Sequence, residues 1–247
     1  MYFLLFFTLA CLSTCYCRTE NDEKAESMCG LLRQSLTSTS VSVEIDKKGF
    51  HRDVVTTVEF SPDGPSDLQA LVVHKWPRGI YVDPYQLASL SEHTDWQVLL
   101  DSAIDLEVPA HKTVGLVAFV FPALHGRIPR LLKVTVPVHG RYHEPSFDGK
   151  KFTSIDLDPP ELLLRTGKCT QLSYLDPHTI VDAPCTADNS SICQWARIQH
   201  KQGQASFQLP VGDGLLVIPV CSATLLVTLV CCVALAKTVW KHQLFTH

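Results

Sequence analysis

The sequence predicts a mostly β domain of antiparallel, sandwich-like build, followed by one C-terminal transmembrane helix. Three observations carry this. Short apolar runs, several alternating with a period of two, recur from Val41 to Val211 and are divided by Gly- and Pro-bearing turns. That is the pattern of strands in a sandwich or barrel. Helical periodicity is nearly absent from the same region, apart from a brief stretch at Tyr85–Glu92. Leu215–Ala236 then supplies 22 uncharged residues between Asp213 and Lys237. At about 1.5 Å of rise per residue, such a helix crosses a hydrocarbon core of roughly 30 Å. The strand order of the sandwich stays open.

The chain opens on an apolar run, Tyr2–Leu12, with small residues after it up to Cys17. This run is too short to span and reads as a secretory signal peptide over residues 1–17, with an uncleaved anchor as the alternative. Residues 18–40 read as a polar leader, loose over Arg18–Ser27 and loop-like again at the Ser/Thr stretch Thr37–Ser40. Residues 41–211 form the β-rich domain. Its strands are expected at Val41–Ile45, Val54–Phe60, Leu68–His74, Val114–Phe121, Leu131–Val138, Lys151–Leu157, Glu161–Arg165 and Phe207–Val211. A weaker pair is expected within Val98–Val108. Ser61–Pro65, SPDGP, is a turn by composition. Residues 212–214 are a connector too short to be a stalk, which holds the domain close to the bilayer. The span is 215–236 and the tail 237–247.

A cleaved signal sends the following domain across the membrane. Lys237 and Lys241, after the span with no acid beside them, then remain in the cytosol as the positive-inside rule prefers, and the domain lies outside the cytosol. All 25 acidic and 19 of the 21 basic residues lie between Arg18 and Gly214, a formal charge of −6. That balance argues against a nucleic-acid partner.

Ten cysteines divide by compartment. Cys11, Cys15 and Cys17 fall in the signal segment, and Cys221, Cys231 and Cys232 in the span. Cys29, Cys169, Cys185 and Cys193 remain outside the cytosol, where an even count favours two disulfides. Three pairings are open. Cys185 with Cys193 closes a small loop, and Cys29 with Cys169 would tie the leader to the late part of the domain. Asn189-Ser190-Ser191 between the second pair is an N-glycosylation sequon, so Asn189 is a candidate glycan site.

Catalytic signatures are missing. The chain has no GxSxG, glycine-rich phosphate loop or HExxH, and no CxxC outside the signal and the span. Asp156 and Asp158 have the spacing of a metal-binding acid pair, but two residues in an acid-rich chain are a weak signal. His139 and His143 would share a face on a helix, yet Pro137 and Gly140 argue for a strand end where that geometry fails. No catalytic residue, metal or cofactor is therefore expected. Aromatic, Arg and His residues do cluster: His51 and Arg52; Tyr81, Asp83 and Tyr85; His139, Arg141, Tyr142 and His143; and Trp195. Such residues serve interface hot spots and structural corners equally well.

These stretches, with their neighbours, resemble the PIG-X family. The likeness rests on GFHRD (Gly49–Asp53), PRGIYVDPYQLASL (Pro77–Leu90), PVHGRYHEP (Pro137–Pro145), APC (Ala183–Cys185), ICQW (Ile192–Trp195) and PVG (Pro210–Gly212). It extends from about Cys29 to the C-terminus. The resemblance implies a single-pass type I protein of the endoplasmic-reticulum membrane. It also implies a non-catalytic subunit that stabilises a multi-span mannosyltransferase. That partner adds the first mannose to the GPI-anchor precursor from dolichol-phosphate-mannose. The other partner expected is the membrane lipid around the span. Two competing readings share the topology: a cell-surface receptor or adhesion module, and a membrane-anchored enzyme with an unrecognised site.

Overall fold

In the computed structural model, residues 26–61, 64–124, 131–169, 175–188, 191–198 and 204–245 are described. The expected signal segment and the sequon residue Asn189 lie outside them. Two antiparallel sheets make the sandwich. The first has the order β1 (Ser40–Asp46), β2 (His51–Glu59), β7 (Leu131–Gly140), β4 (Ile80–Tyr81). The second has the order β10 (Ile180–Pro184), β11 (Ile192–Arg197), β9 (Glu161–Arg165), β3 (Gln69–Trp76), β6 (Leu116–Pro122), β5 (Trp96–Leu100). A third ladder pairs β12 (Ala205–Pro210) with β8 (Phe152–Leu157). The short helix α2 (Pro84–Ser91) follows β4, at the place where the sequence breaks its strand pattern.

Alternation along each strand sets the core. Val54 and Val58 of β2 and Val134, Val136 and Val138 of β7 face Val72 and Trp76 of β3, Val120 of β6, and Leu162 and Leu164 of β9 in one buried cluster. Ile155, Leu157, Phe207 and Leu209 of the third ladder belong to the same cluster. The odd positions of the six-stranded sheet form a second, smaller one: Leu71, Val73, Leu163, Ala183 and Trp195. A strand buried on both faces reads as a continuous apolar run, and Ala70–Val73 does so. One imidazole sits in the main core. His74 is stacked on Trp76 at 4.6 Å and lies 3.4 Å from Thr56 Oγ1.

The structure differs from expectation in three places. Much of the polar leader is helical, into its Ser/Thr end: residues 26–38 form a helix, α1. Cys29, Leu32 and Leu36 are each at most 2% exposed, and their spacing of three and four puts them on one helical face. The structure joins Cys29 to Cys169 and Cys185 to Cys193, so α1 is also covalently tied to the segment after β9. Val98–Val108 yields one strand instead of two. Asp101 and Asp105 turn their carboxylates onto the backbone N–H groups of Val117 and Glu107, which diverts the chain from a ladder. Finally, two strands that were not expected, β10 and β11, pair beside the Cys185–Cys193 bridge.

The membrane helix begins inside the domain. Ser146 N–H donates to Gly212 O and Gly214 N–H donates to Ser146 O, both at 2.8 Å, and Val211 N–H donates to Lys151 O. Asp213 then accepts from Leu215 N–H and caps a single 3-10 turn, Gly214–Leu216. The long helix α3 (Val217–Phe245) follows. The stretch Gly214–Lys241 is long and apolar enough to cross a membrane, and its most apolar 18-residue window has a mean hydropathy of 2.6 and no buried residue. The helix thus continues past the expected end of the span at Ala236. Thr224, Thr228 and Thr238 return their hydroxyls to the carbonyls four residues back, so no polar side-chain hydrogen is left facing lipid at those positions.

Candidate functional site

Strand register builds a row of rings on β7. His51 of β2 lies opposite His139, and Tyr81 of β4 lies opposite the same residue on the other side. The His51 and His139 rings meet edge-on at 4.7 Å, and Tyr81 stacks on His139 at 5.1 Å. Arg141, two residues on and so on the same face of β7, covers the far side of Tyr81 at 4.7 Å. Its guanidinium is buried and donates through Nη1 to Val108 O at 2.6 Å. The row is therefore His51, His139, Tyr81, Arg141.

Helix α2 holds the row from one side. Asp83 is its N-cap and accepts from Tyr85 N–H and Gln86 N–H, with Pro84 in the first turn. That cap presents Gln86, whose Oε1 lies 2.9 Å from His139 Nε2. Tyr85 and Tyr142 stand beside the row almost fully exposed, at 78% and 76%. Phe50 supports Tyr142 at 5.2 Å. Gly140 lets the row pass close to the third ladder. A Cβ there would come within 2.7 Å of Leu209 and 3.0 Å of Phe50.

The electrostatics favour the neutral forms of His139 and Tyr81. Burial pushes the His139 pKa down, and His51 adds to this, against a smaller opposing pull from Asp83. Burial pushes the Tyr81 phenol up, with Arg141 opposing and Asp83, Glu107 and Tyr142 reinforcing. Near neutral pH the row thus presents a neutral imidazole and a neutral phenol backed by one guanidinium. His139 Nε2 is engaged by Gln86, and the Tyr81 ring is sandwiched between His139 and Arg141. Tyr85, next to Gln86, and Tyr142, next to Arg141, flank the row and are exposed, a composition suited to contact with a protein surface.

The other expected residues lie elsewhere. Arg52 points to the opposite side of β2 from His51. It donates to the carbonyls of Lys47, Gly49 and Gln208 and lies over Phe207 at 4.3 Å, so it staples the β1–β2 turn to β12. His143 is separated from His139. It lines a cleft of about 230 Å³ with Arg78, His111, Glu144 and Lys150, and burial together with Arg78 and His111 pushes its pKa down. Trp195 is buried in the second cluster under Arg165, which lies 5.1 Å from its ring. Sequence reasoning missed Gln86, although an Asp-Pro helix start places the third residue of the first turn predictably. Among the described residues, no group of three or more His, Cys, Asp or Glu is placed to hold a metal ion.

A disulfide-tied β sandwich leads directly into the one helix among the described residues that is long and apolar enough to cross a membrane, the layout of a membrane-anchored protein. This chain belongs to the PIG-X/PBN1 family, whose model matches residues 47–240. Its relatives include the human protein named GPI alpha-1,4-mannosyltransferase I, stabilizing subunit, 33% identical over 210 residues, or 82% of this chain and 80% of that one. The rat and mouse proteins of the same name are each 32% identical over 210 residues, covering 82% of both chains.

Proposed function

We propose that this chain is a non-catalytic subunit that stabilises GPI mannosyltransferase I in the endoplasmic-reticulum membrane. Its domain faces the lumen. Its partner is the multi-span catalytic subunit that transfers the first mannose from dolichol-phosphate-mannose to the GPI-anchor precursor. The observation that carries this reading is the 210-residue similarity to three mammalian stabilising subunits, which covers 82% of this chain. The exposed tyrosines flanking the row support it: Tyr85 in the capped first turn of α2 and Tyr142 against Phe50 are large and exposed, as residues at a protein interface are. A subunit that binds only the folded form of its partner raises that form's abundance by mass action.

The test is to remove this chain from cells and measure two quantities: the catalytic subunit in membranes, and mannose transfer divided by that amount. The proposal expects the first to fall and the second to hold. A fall in the second at constant abundance would overturn it. Endoglycosidase H separates residence in the endoplasmic reticulum from passage to the cell surface, since a glycan on Asn189 stays sensitive only in the former.

A further inference from the structure

We infer that the Ser146–Phe152 loop is a second membrane contact, seated in the headgroup region of the bilayer that α3 spans. The loop reads Ser-Phe-Asp-Gly-Lys-Lys-Phe. Its two phenylalanines are exposed, Phe147 at 71% and Phe152 at 55%. The Phe147 ring lies against Gly214: a Cβ built there would be 2.7 Å from it. Gly214 is also the first residue of the apolar stretch. The ring is thus at the level where the chain enters hydrocarbon, beside the helix and not above it.

The hydrogen bonds already described fix that level. Ser146 pairs with Gly212 and Gly214, and Lys151 O accepts from Val211 N–H. The two ends of the loop are bound to the connector on both sides of Asp213, so the loop cannot lift away while the connector stays folded. Leu215 and Leu216, equally exposed, continue the apolar surface from Phe147 into the span. Lys150 and Lys151 are exposed on the same loop, where their long stems reach lipid phosphate. Asp148 binds Lys150 at 2.9 Å and leaves Lys151 without an ion pair among the described residues. Aromatic rings flanked by lysines at the end of a spanning helix are the composition of an interfacial anchor. The occupant is phospholipid, and the inference stands without any catalytic partner.

The experiment places p-benzoylphenylalanine at position 147, 152 or 192 of the full chain and irradiates native membranes. Ile192 is 62% exposed. It lies at the opposite end of the six-stranded sheet from Trp76 by register, and Arg78, two residues beyond Trp76, lines a cleft with Ser146, Lys150 and Phe152, so Ile192 reports an exposed apolar site away from the loop. Phospholipid adducts at 147 and 152, with background yield at 192, are the expected result. Each would be read as the mass of one phospholipid on the loop peptide. A protein adduct in place of lipid at 147 and 152 overturns the inference and makes the loop a subunit contact. No adduct above the level at 192 overturns it as well. Intact Cys29–Cys169 and Cys185–Cys193 bridges in the same digest show that each variant is folded.

Discussion

His74 puts an imidazole between two β sheets, and burial pushes its pKa from 6.5 down to about 3. Between these values the unfolded chain takes up a proton that the folded chain refuses. Stability should therefore fall as pH drops from about 6.5 towards 3 and return as it rises, with a slope of about 1.4 kcal/mol per pH unit from this residue. Urea unfolding of the detergent-solubilised chain at several pH values measures the slope, and His74→Leu should subtract one such contribution. Arg141 gives a different residue-scale outcome. Its guanidinium both covers Tyr81 and reaches Val108 O, and a lysine ammonium cannot lie flat on the ring and reach that carbonyl in the same pose. Arg141→Lys should cost about 1–3 kcal/mol, read as a lower melting temperature. Arg141 was visible as a candidate because it stands between aromatic and histidine residues. Its burial was not, since a guanidinium is rarely buried without a partner and that partner is a carbonyl 33 residues away.

Helix α1 is held to the sandwich by an apolar stripe and by one disulfide, and the two bridges differ greatly in reach. Cys29 and Cys169 are 140 residues apart, Cys185 and Cys193 only 8. By chain entropy the long bridge contributes roughly 5 kcal/mol and the short one roughly 2.5 kcal/mol. Cys29→Ser should accordingly lower the melting temperature more than Cys193→Ser, and equal losses would count against the entropic account. The long strands were legible because their pattern is local: β2, β3, β6 and β7 each carry four or more apolar or β-branched residues in a run. β10 and β11 were not, because what holds them is pairing with each other and, through β11, with β9. Helix α1 escaped notice for a related reason: its stripe of Cys29, Leu32 and Leu36 is narrow and set among polar residues. The row on β7 was legible as residue types but not as geometry, since strand register alone brings His51, His139 and Tyr81 side by side.

Across the molecule, the exposed tyrosines Tyr85 and Tyr142 flank the β7 row, Phe147 and Phe152 stand at the start of the long helix, and Asp156 and Asp158 belong to no group of three or more ligating residues among the described residues. Asp156→Asn should leave mannose transfer per assembled complex unchanged, whereas the double change Tyr85→Ala and Tyr142→Ala should reduce recovery of the catalytic subunit. Immunoblotting membranes and dividing transfer by that amount separates the two outcomes. One further consequence follows from the join at Ser146, Gly212 and Gly214. Because the join is hydrogen-bonded, the helix acts as an axle and the domain turns with it, so the compass bearing of Tyr85 and Tyr142 around the membrane normal is set by helical phase. One alanine inserted in the span turns that bearing by roughly 100° while four turn it by only about 40°. Assembly should therefore suffer more from the shorter insertion than from the longer one, the reverse of what a slack tether would give.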